Sequence, residues 1–148
     1  MRKVFTVLGA LAMMLAFVVA PAQATEFGAQ AGSCSGSVTY QRSVGGVGQL
    51  KIFYSNGSNS ACFYHIGAAA GKAAETYVEI YKCVETSGEG NPNCTYTSFD
   101  SDGPGNWKEY AGPVGVSGTA NVCVAAFGYI VWGGAVHAVD SGRQGCPN

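Results

Sequence analysis

Short stretches rich in β-branched and aromatic residues, separated about every ten residues by Gly, Asn, Ser or Pro, recur from Val38 to the end of the chain. This spacing is typical of the strands of a sandwich or barrel. No stretch has the three-to-four-residue period of an amphipathic helix. The sequence therefore predicts an all-β fold, a single small antiparallel β-sandwich of the jelly-roll or immunoglobulin-like kind, stapled by disulfides.

Nine strands are predicted as an upper limit, since short neighbours can merge: residues 37–44, 48–54, 61–67, 76–84, 95–99, 107–110, 114–117, 121–127 and 129–139. In the second of these, Leu50 and Ile52 share one face and should point into the core. The Asn56-Gly57 pair predicts a tight hairpin turn, because both residues tolerate positive φ. Residues 68–75 are rich in Ala, but Gly71 disfavours a helix there and a loop or second hairpin is predicted.

The N-terminus has the pattern of an export signal. A short basic start is followed by an uncharged apolar run and by Ala22-Gln23-Ala24, which matches a signal-peptidase site. We expect residues 1–24 to be a cleaved signal peptide, 25–37 a flexible arm and 38–148 the β-sandwich domain, with no membrane anchor left after cleavage.

Removal of Arg2 and Lys3 with the leader leaves six basic residues against nine acids, a net charge of −3. The remaining cations are scattered singly along the chain. Because phosphate backbones are bound by clustered basic residues, this distribution argues against nucleic-acid binding.

Six cysteines follow the leader, and in an exported protein disulfides are their expected use. They allow fifteen pairings. Spacing favours Cys83–Cys94 across a Gly- and Pro-containing excursion, Cys62–Cys123 between distant strands, and Cys34–Cys146 between the chain ends. No Cys-x-x-Cys pair is present, so a metal site is not predicted.

Catalytic chemistry finds little support in the sequence. His65 is interpreted as a histidine on a sheet surface, and His137 lies three residues before Asp140, which places the two on opposite faces of a strand. Cys34 lies at the centre of a Gly-x-Cys-x-Gly segment that lacks the strand-to-helix turn of a nucleophile elbow. The segment 100–103, Asp-Ser-Asp-Gly, is interpreted as a solvated turn rather than a calcium loop. No catalytic residue and no cofactor is predicted.

Aromatic residues are the remaining candidates for binding. A flat row of Tyr and Trp on a sheet face can stack on sugar rings, although a sandwich core with ordinary surface tyrosines also accounts for these residues. Trp107, Tyr110 and Trp132 are the candidate ligand contacts.

The C-terminal half carries a recognisable pattern: Asp102-Gly103, then the run Trp-Lys-Glu-Tyr-Ala-Gly-Pro-Val-Gly-Val over residues 107–116, then Cys123-Val124 and Trp132-Gly133-Gly134. Together with the strand before Asn56-Gly57 and with Cys62, it resembles the small secreted spore-associated protein A family of streptomycetes and related actinobacteria. The resemblance implies export, association with the spore or outer cell surface, and a small disulfide-bonded β domain. It implies no active site. The 83–94 excursion and Cys146 depart from the family pattern.

The expected function is that of a secreted, non-enzymatic protein associated with the spore or outer cell surface, where a cell-wall or spore-surface polymer is the expected partner. Two alternatives remain. One is a binding module, either carbohydrate-binding or protease-inhibitor-like, that uses exposed aromatics or the 85–93 loop. The other is a small secreted hydrolase.

Overall fold

Strands of eight to twelve residues make up most of residues 34–147, the part of the chain that the computed structural model describes. They are β1 (Ser37–Val44), β2 (Gly48–Ser55), β3 (Ser58–His65), β4 (Ala74–Cys83), β5 (Tyr96–Trp107), β6 (Tyr110–Ser117), β7 (Val124–Trp132) and β8 (Ala135–Gln144). The predicted signal peptide and most of the predicted arm lie outside the described residues. No helix within 34–147 is long and apolar enough to cross a membrane.

The strands form two antiparallel four-stranded sheets that pack face to face, which confirms the predicted sandwich. The first sheet has the order β1-β2-β3-β6 and the second has the order β5-β4-β7-β8. The chain therefore crosses between sheets after β3, after β5 and after β6. At the two open sides, β1 lies next to β8 and β5 lies next to β6.

The core lies between the sheets and is centred on Phe63, the largest fully buried side chain. Leu50 and Ile52 are fully buried beside it, as predicted. A methyl group added to Gly48 or to Gly128 would lie 2.5 Å from the Phe63 ring, so both positions must be Gly for the ring to fit.

The position of Gly128 corrects one predicted boundary. The sequence predicts separate strands at 121–127 and 129–139, but Gly128 lies inside β7, which runs from Val124 to Trp132. The chain turns instead at Gly133-Gly134, where both residues have positive φ. Gly128 is thus required by the packing of Phe63 from the opposite sheet, a constraint that the local sequence does not express.

Two local predictions are confirmed. Asn56 (φ 50°) and Gly57 (φ 78°) form the two-residue turn between β2 and β3, with Ser55 opposite Ser58. The Ala-rich segment is not an α-helix: a single 3-10 turn at Gly67–Ala69 leads into the connection to β4. This connection is a loop between the sheets rather than a hairpin, since β3 and β4 belong to different sheets.

The segment predicted as a solvated Asp-Gly turn is part of β5. Asp100 and Asp102 lie opposite the buried residues Ile80 and Val78, so both carboxylates point toward the first sheet. Asp102 Oδ2 accepts a hydrogen bond from Gly112 N at 2.7 Å, and Asp100 Oδ2 accepts one from Gly115 N at 2.8 Å. β6 is an edge strand, and these two N–H groups have no partner strand on its open side. The carboxylates of β5 accept their hydrogen bonds instead and so connect the edge strands of the two sheets.

The disulfides are Cys34–Cys62, Cys83–Cys94 and Cys123–Cys146. The predicted closure of the excursion after β4 is confirmed, but the predicted Cys62–Cys123 and Cys34–Cys146 pairs are wrong. Cys62 lies opposite Lys51 in the first sheet, whereas Cys123 packs beside Cys83 and Ala125 at the end of the second. Lys51 alternates with the inward Leu50 and Ile52, so Cys62 lies on the outer face of the first sheet, from which it cannot reach a cysteine of the second sheet. By restricting the unfolded chain, each observed disulfide should stabilise the folded state by about 3–4 kcal/mol.

Removal of the carboxylate at Asp100 or Asp102 should destabilise the sandwich, because a partly buried β6 amide would lose its acceptor. For Asp100→Ala and Asp102→Ala we expect a loss of about 1–3 kcal/mol each in the free energy of unfolding. Urea denaturation of the oxidised proteins measures it. Ser98→Ala, on an exposed part of β5, is the matched control and should leave the midpoint unchanged. Equal midpoints for all variants would contradict the role assigned to the carboxylates.

Candidate functional site

The outer face of the second sheet carries six aromatic side chains that we call the aromatic face: Tyr77, Tyr81, Tyr96, Phe99, Phe127 and Tyr129. The alternation of β4 explains their position. Thr76, Val78 and Ile80 point into the core and are fully buried, so Tyr77 and Tyr81 must point outward. Neighbouring strands continue the row, with Tyr129 opposite Tyr77 and Phe99 opposite Tyr81.

The aromatic rings form two contacting groups. In one, Tyr77 stacks on Tyr129 with centroids 5.6 Å apart, and Phe127 lies 6.3 Å from Tyr129. In the other, Tyr81, Tyr96 and Phe99 contact one another with centroid separations of 5.0–6.0 Å. Tyr96 and Phe99 are 55% and 57% exposed, which is unusual for such large apolar surfaces lying side by side.

Glu79 lies on β4 between the two groups. Its Oε2 accepts a hydrogen bond of 2.6 Å from the Tyr77 hydroxyl. Burial, and then the hydrogen bond and charge of Glu79, raise the pKa of Tyr77 to about 12, and the same causes raise the pKa of Tyr81. Both phenols therefore stay protonated through neutral pH and remain hydrogen-bond donors.

A groove of about 360 Å³ opens beside Glu79. Its sides include Tyr81, Tyr96 and Phe127 from the aromatic face, and Asp140 from β8. Phe127 on β7 pairs with Glu79 on β4 and with Asp140 on β8, so the two carboxylates flank its ring from opposite sides. The groove thus combines apolar ring surface with two negatively charged acceptors.

One end of the groove is formed by Pro92 and Cys94, which belong to the 84–95 loop. Arg143 of β8 holds this loop: its guanidinium donates to Asn93 O at 2.5 Å and to Ser87 O at 3.1 Å, and lies 3.2 Å from Glu85 Oε1. Hydrogen bonds from Thr95 N, reinforced by Arg143, lower the pKa of Glu85. With the adjacent disulfide Cys83–Cys94, these contacts fix the end of the groove.

A second hollow of about 400 Å³ lies near the other end of β4. It is lined by Glu75, Pro104, Gly105 and Asn106. Tyr129 donates to Glu75 Oε1 at 3.2 Å, so this hollow adjoins the stacked pair Tyr77 and Tyr129. The groove, the aromatic rings and the hollow therefore follow one another along β4 on the outer face of the second sheet.

The three aromatic residues predicted from sequence as ligand contacts lie outside the aromatic face and do not come together in one site. Trp107 lies opposite Ala74 on the core side of the second sheet and is 37% exposed. Tyr110 is on the first sheet, where it contacts Tyr64 at 5.5 Å. Trp132 packs partly buried against the core. Their role as ligand contacts stays a prediction.

Both histidines have structural partners. His65 is buried, not on the sheet surface as expected: Nδ1 lies 3.0 Å from Lys72 O, and Nε2 lies 2.7 Å from the Thr76 hydroxyl. These contacts tie the loop before β4 to β3. His137 Nε2 lies 3.3 Å from Trp132 O. His137 pairs with the buried Ile130 and Asp140 with the outward Phe127, so they occupy opposite faces, as the spacing predicts.

Cys83, Glu85 and Cys94 have potential ligand atoms within 4.8 Å of one another. Both sulfur atoms are joined in the Cys83–Cys94 disulfide and are not thiolate ligands.

The aromatic face could have been found in the sequence from β4 alone. Its alternation Glu75-Thr-Tyr77-Val-Glu79-Ile-Tyr81 places acids and tyrosines on one side and β-branched residues on the other. The contributions of Tyr96, Phe99, Phe127 and Tyr129 depend on which strands flank β4, which the sequence does not express.

Ionisation of the tyrosines tests the environment of Glu79. Tyr77 should titrate near pH 12, and Glu79→Gln should lower the pKa of both Tyr77 and Tyr81 toward 10. The folded state holds the protons of these two tyrosines more tightly than the unfolded state does. Their contribution to the free energy of unfolding is therefore fully present below about pH 10 and is lost as the pH rises toward 12. Carbon NMR of ring-labelled tyrosine measures the titrations. Glu109→Gln, away from this face, should leave them unchanged; an equal shift in both variants would refute the assignment.

Loss of Arg143 should free the 84–95 loop while leaving the sandwich folded. We expect Arg143→Ala to cost about 1–3 kcal/mol of stability and to expose Glu89 to a glutamate-specific protease. The control Arg42→Ala removes an exposed cation from β1. Cleavage rates equal to wild type would show that the disulfide alone fixes the loop.

Comparison of the chain with protein-family models, with curated proteins and with solved structures finds no match. The features of the described residues that bear on function are therefore the aromatic face, its groove and its carboxylates.

Proposed function

We propose that the protein is a secreted, non-enzymatic module that binds a carbohydrate polymer of the spore or outer cell surface through its aromatic face. The observation that carries the proposal is the presence of six aromatic rings, in two contacting groups, on the outward surface of one sheet. The proposal joins the surface association expected from sequence to the carbohydrate-binding alternative.

Aromatic rings on a flat sheet suit sugars because the apolar face of a pyranose stacks on a ring while its hydroxyls bond to polar groups alongside. Here the polar groups alternate with the rings. Glu79 and Asp140 offer acceptors, and the tyrosine hydroxyls offer both donors and acceptors. The groove therefore provides what a bound sugar requires: apolar contact area and a few positioned polar atoms.

The length of the face favours a polymer over a single sugar. From Glu75 to Tyr81 the strand rises about 20 Å at about 3.3 Å per residue. A hollow lies at one end of this span and the groove at the other, with the stacked pair Tyr77 and Tyr129 between them. A linear chain of several sugar units can contact all three.

The non-enzymatic part of the proposal is supported by the positions of the acid–base candidates. His65 is buried among backbone and hydroxyl partners, and Glu79 is hydrogen-bonded to Tyr77. His137 faces away from the groove that contains Asp140. These placements disfavour the hydrolase alternative.

Secretion and surface association are supported by the leader, by the resemblance to the spore-associated family, and by three disulfides, which are typical of oxidising compartments. The protease-inhibitor alternative has less support. Such an inhibitor presents a projecting loop, whereas residues 90 and 91 of the 84–95 loop are hydrogen-bonded to the Arg143 backbone.

Retention on insoluble polymers tests the binding. We expect the mature protein to be retained on at least one of chitin, cellulose and peptidoglycan, and Phe99→Ala or Tyr96→Ala to weaken retention up to about tenfold, the effect of losing one stacking ring. Tyr110→Ala, at a residue 41% exposed on the other sheet, and Trp107→Ala are the comparison variants, and both should leave retention unchanged. A loss in these variants and not in Phe99→Ala would assign binding to the contacts predicted from sequence and not to the aromatic face. Absence of retention on all three polymers would refute carbohydrate binding.

Surface association is tested separately by fractionating a culture of the source organism into medium, mycelium and spores. We expect the protein in the spore or mycelial fraction, and its release by the aromatic-face variants. Protein confined to the medium would contradict the surface role.

A further inference from the structure

We infer that the polymer bound by the aromatic face is a cationic amino-sugar chain, one whose sugars carry free ammonium groups, such as deacetylated chitin. The inference rests on the proposed function and narrows its ligand class. It comes from the charge of the face, which the aromatic rings alone do not specify.

The charged groups of the aromatic face are predominantly acidic. Glu75 and Glu79 project from β4, and Asp140 projects from β8 across the Phe127 ring. Glu75 and Glu79 each accept a hydrogen bond from a tyrosine, which leaves further lone pairs on each carboxylate. Asp140 Oδ1 accepts from Gly142 N, and its other oxygen has no partner within residues 34–147.

The cations nearest this face are already engaged or directed elsewhere. Arg143 is bound to Glu85 and to two carbonyls of the 84–95 loop. The Lys82 ammonium lies 3.0 Å from where a side chain on Gly118 would begin, so it is directed toward the end of β6. A bound ligand therefore meets carboxylates that these cations do not neutralise.

The surroundings of the carboxylates also suit an ammonium group. Tyr77, Tyr81, Phe127 and Tyr129 lie around Glu79 and Glu75, and the electron-rich face of an aromatic ring attracts a cation. An ammonium in the groove gains a charge-assisted hydrogen bond together with ring contacts. An anionic polymer at the same place would meet like charge in a partly desolvated site.

The spacing of the acids favours several ammonium groups on one chain. Glu75 and Glu79 are four residues apart on the same side of β4, about 13 Å at the usual strand rise. A sugar polymer stacked along Tyr77 and Tyr129 can reach both acids with different sugar units. Simultaneous contacts of this kind should make the affinity increase with the number of units up to the length of the face.

The test compares soluble oligomers of glucosamine and of N-acetylglucosamine, matched in length, by calorimetry at low and high salt. We expect the glucosamine oligomer to bind at least tenfold more tightly at low salt and to lose most of this advantage at high salt. Glu79→Gln and Asp140→Asn should each reduce binding of glucosamine oligomers about tenfold, with little effect on the acetylated ones.

Glu109→Gln is the matched control, since it removes the same charge from an exposed turn outside the aromatic face. An equal loss in Glu109→Gln would mean that net charge, not this face, attracts the ligand, and would overturn the inference. Equal affinity for both oligomers would also overturn it while leaving the proposed carbohydrate binding intact. Binding of neither would overturn the inference, and retention on the three insoluble polymers decides the proposed carbohydrate binding independently. Stronger binding of lysine oligomers than of glucosamine oligomers would assign the site to a basic peptide instead.

Discussion

The packing of Phe63 between the sheets is the contact on which the rest of the structure depends. Its ring occupies the space that side chains on Gly48 and Gly128 would fill, so β2, β3 and β7 can approach only in this register. A shift of β7 by one residue would bring Phe127 or Tyr129 into the core and Gly128 to the surface. The position of one buried ring thus determines which aromatic residues are exposed.

Exposure of the aromatic face is a consequence of that register. The inward residues of β4 and β7 that belong to the buried core are small or β-branched, and none of the tyrosines of the aromatic face contributes to it. Large rings on the opposite side are therefore free to contact a ligand, and the acids between them set the charge that the ligand meets. The Cys83–Cys94 disulfide and Arg143 hold the loop that forms one end of the groove, so the site does not depend on an ordering step.

Local signals in the sequence were sufficient where the structure is local. Alternation predicts that Leu50 and Ile52 lie in the core, and the structure confirms it. The backbone preferences of Asn56 and Gly57 predict a hairpin turn, which is also confirmed. The errors involve contacts between sheets. The predicted break between strands 121–127 and 129–139 is absent because Gly128 accommodates Phe63 within β7, and the acids of 100–103 are not in a solvated turn because they accept hydrogen bonds from β6.

The sequence by itself determined the all-β class, the Cys83–Cys94 disulfide and the alternation of inward and outward residues along β4. Each of these depends on residues that are close together in the chain. The strand order, the other two disulfides and the composition of the aromatic face were decided only by the tertiary structure. Tyr77 and Tyr129 are far apart in sequence, and only the placement of β7 beside β4 brings their rings within 5.6 Å. That placement follows from burying both inner faces at once, a global condition that no single segment encodes.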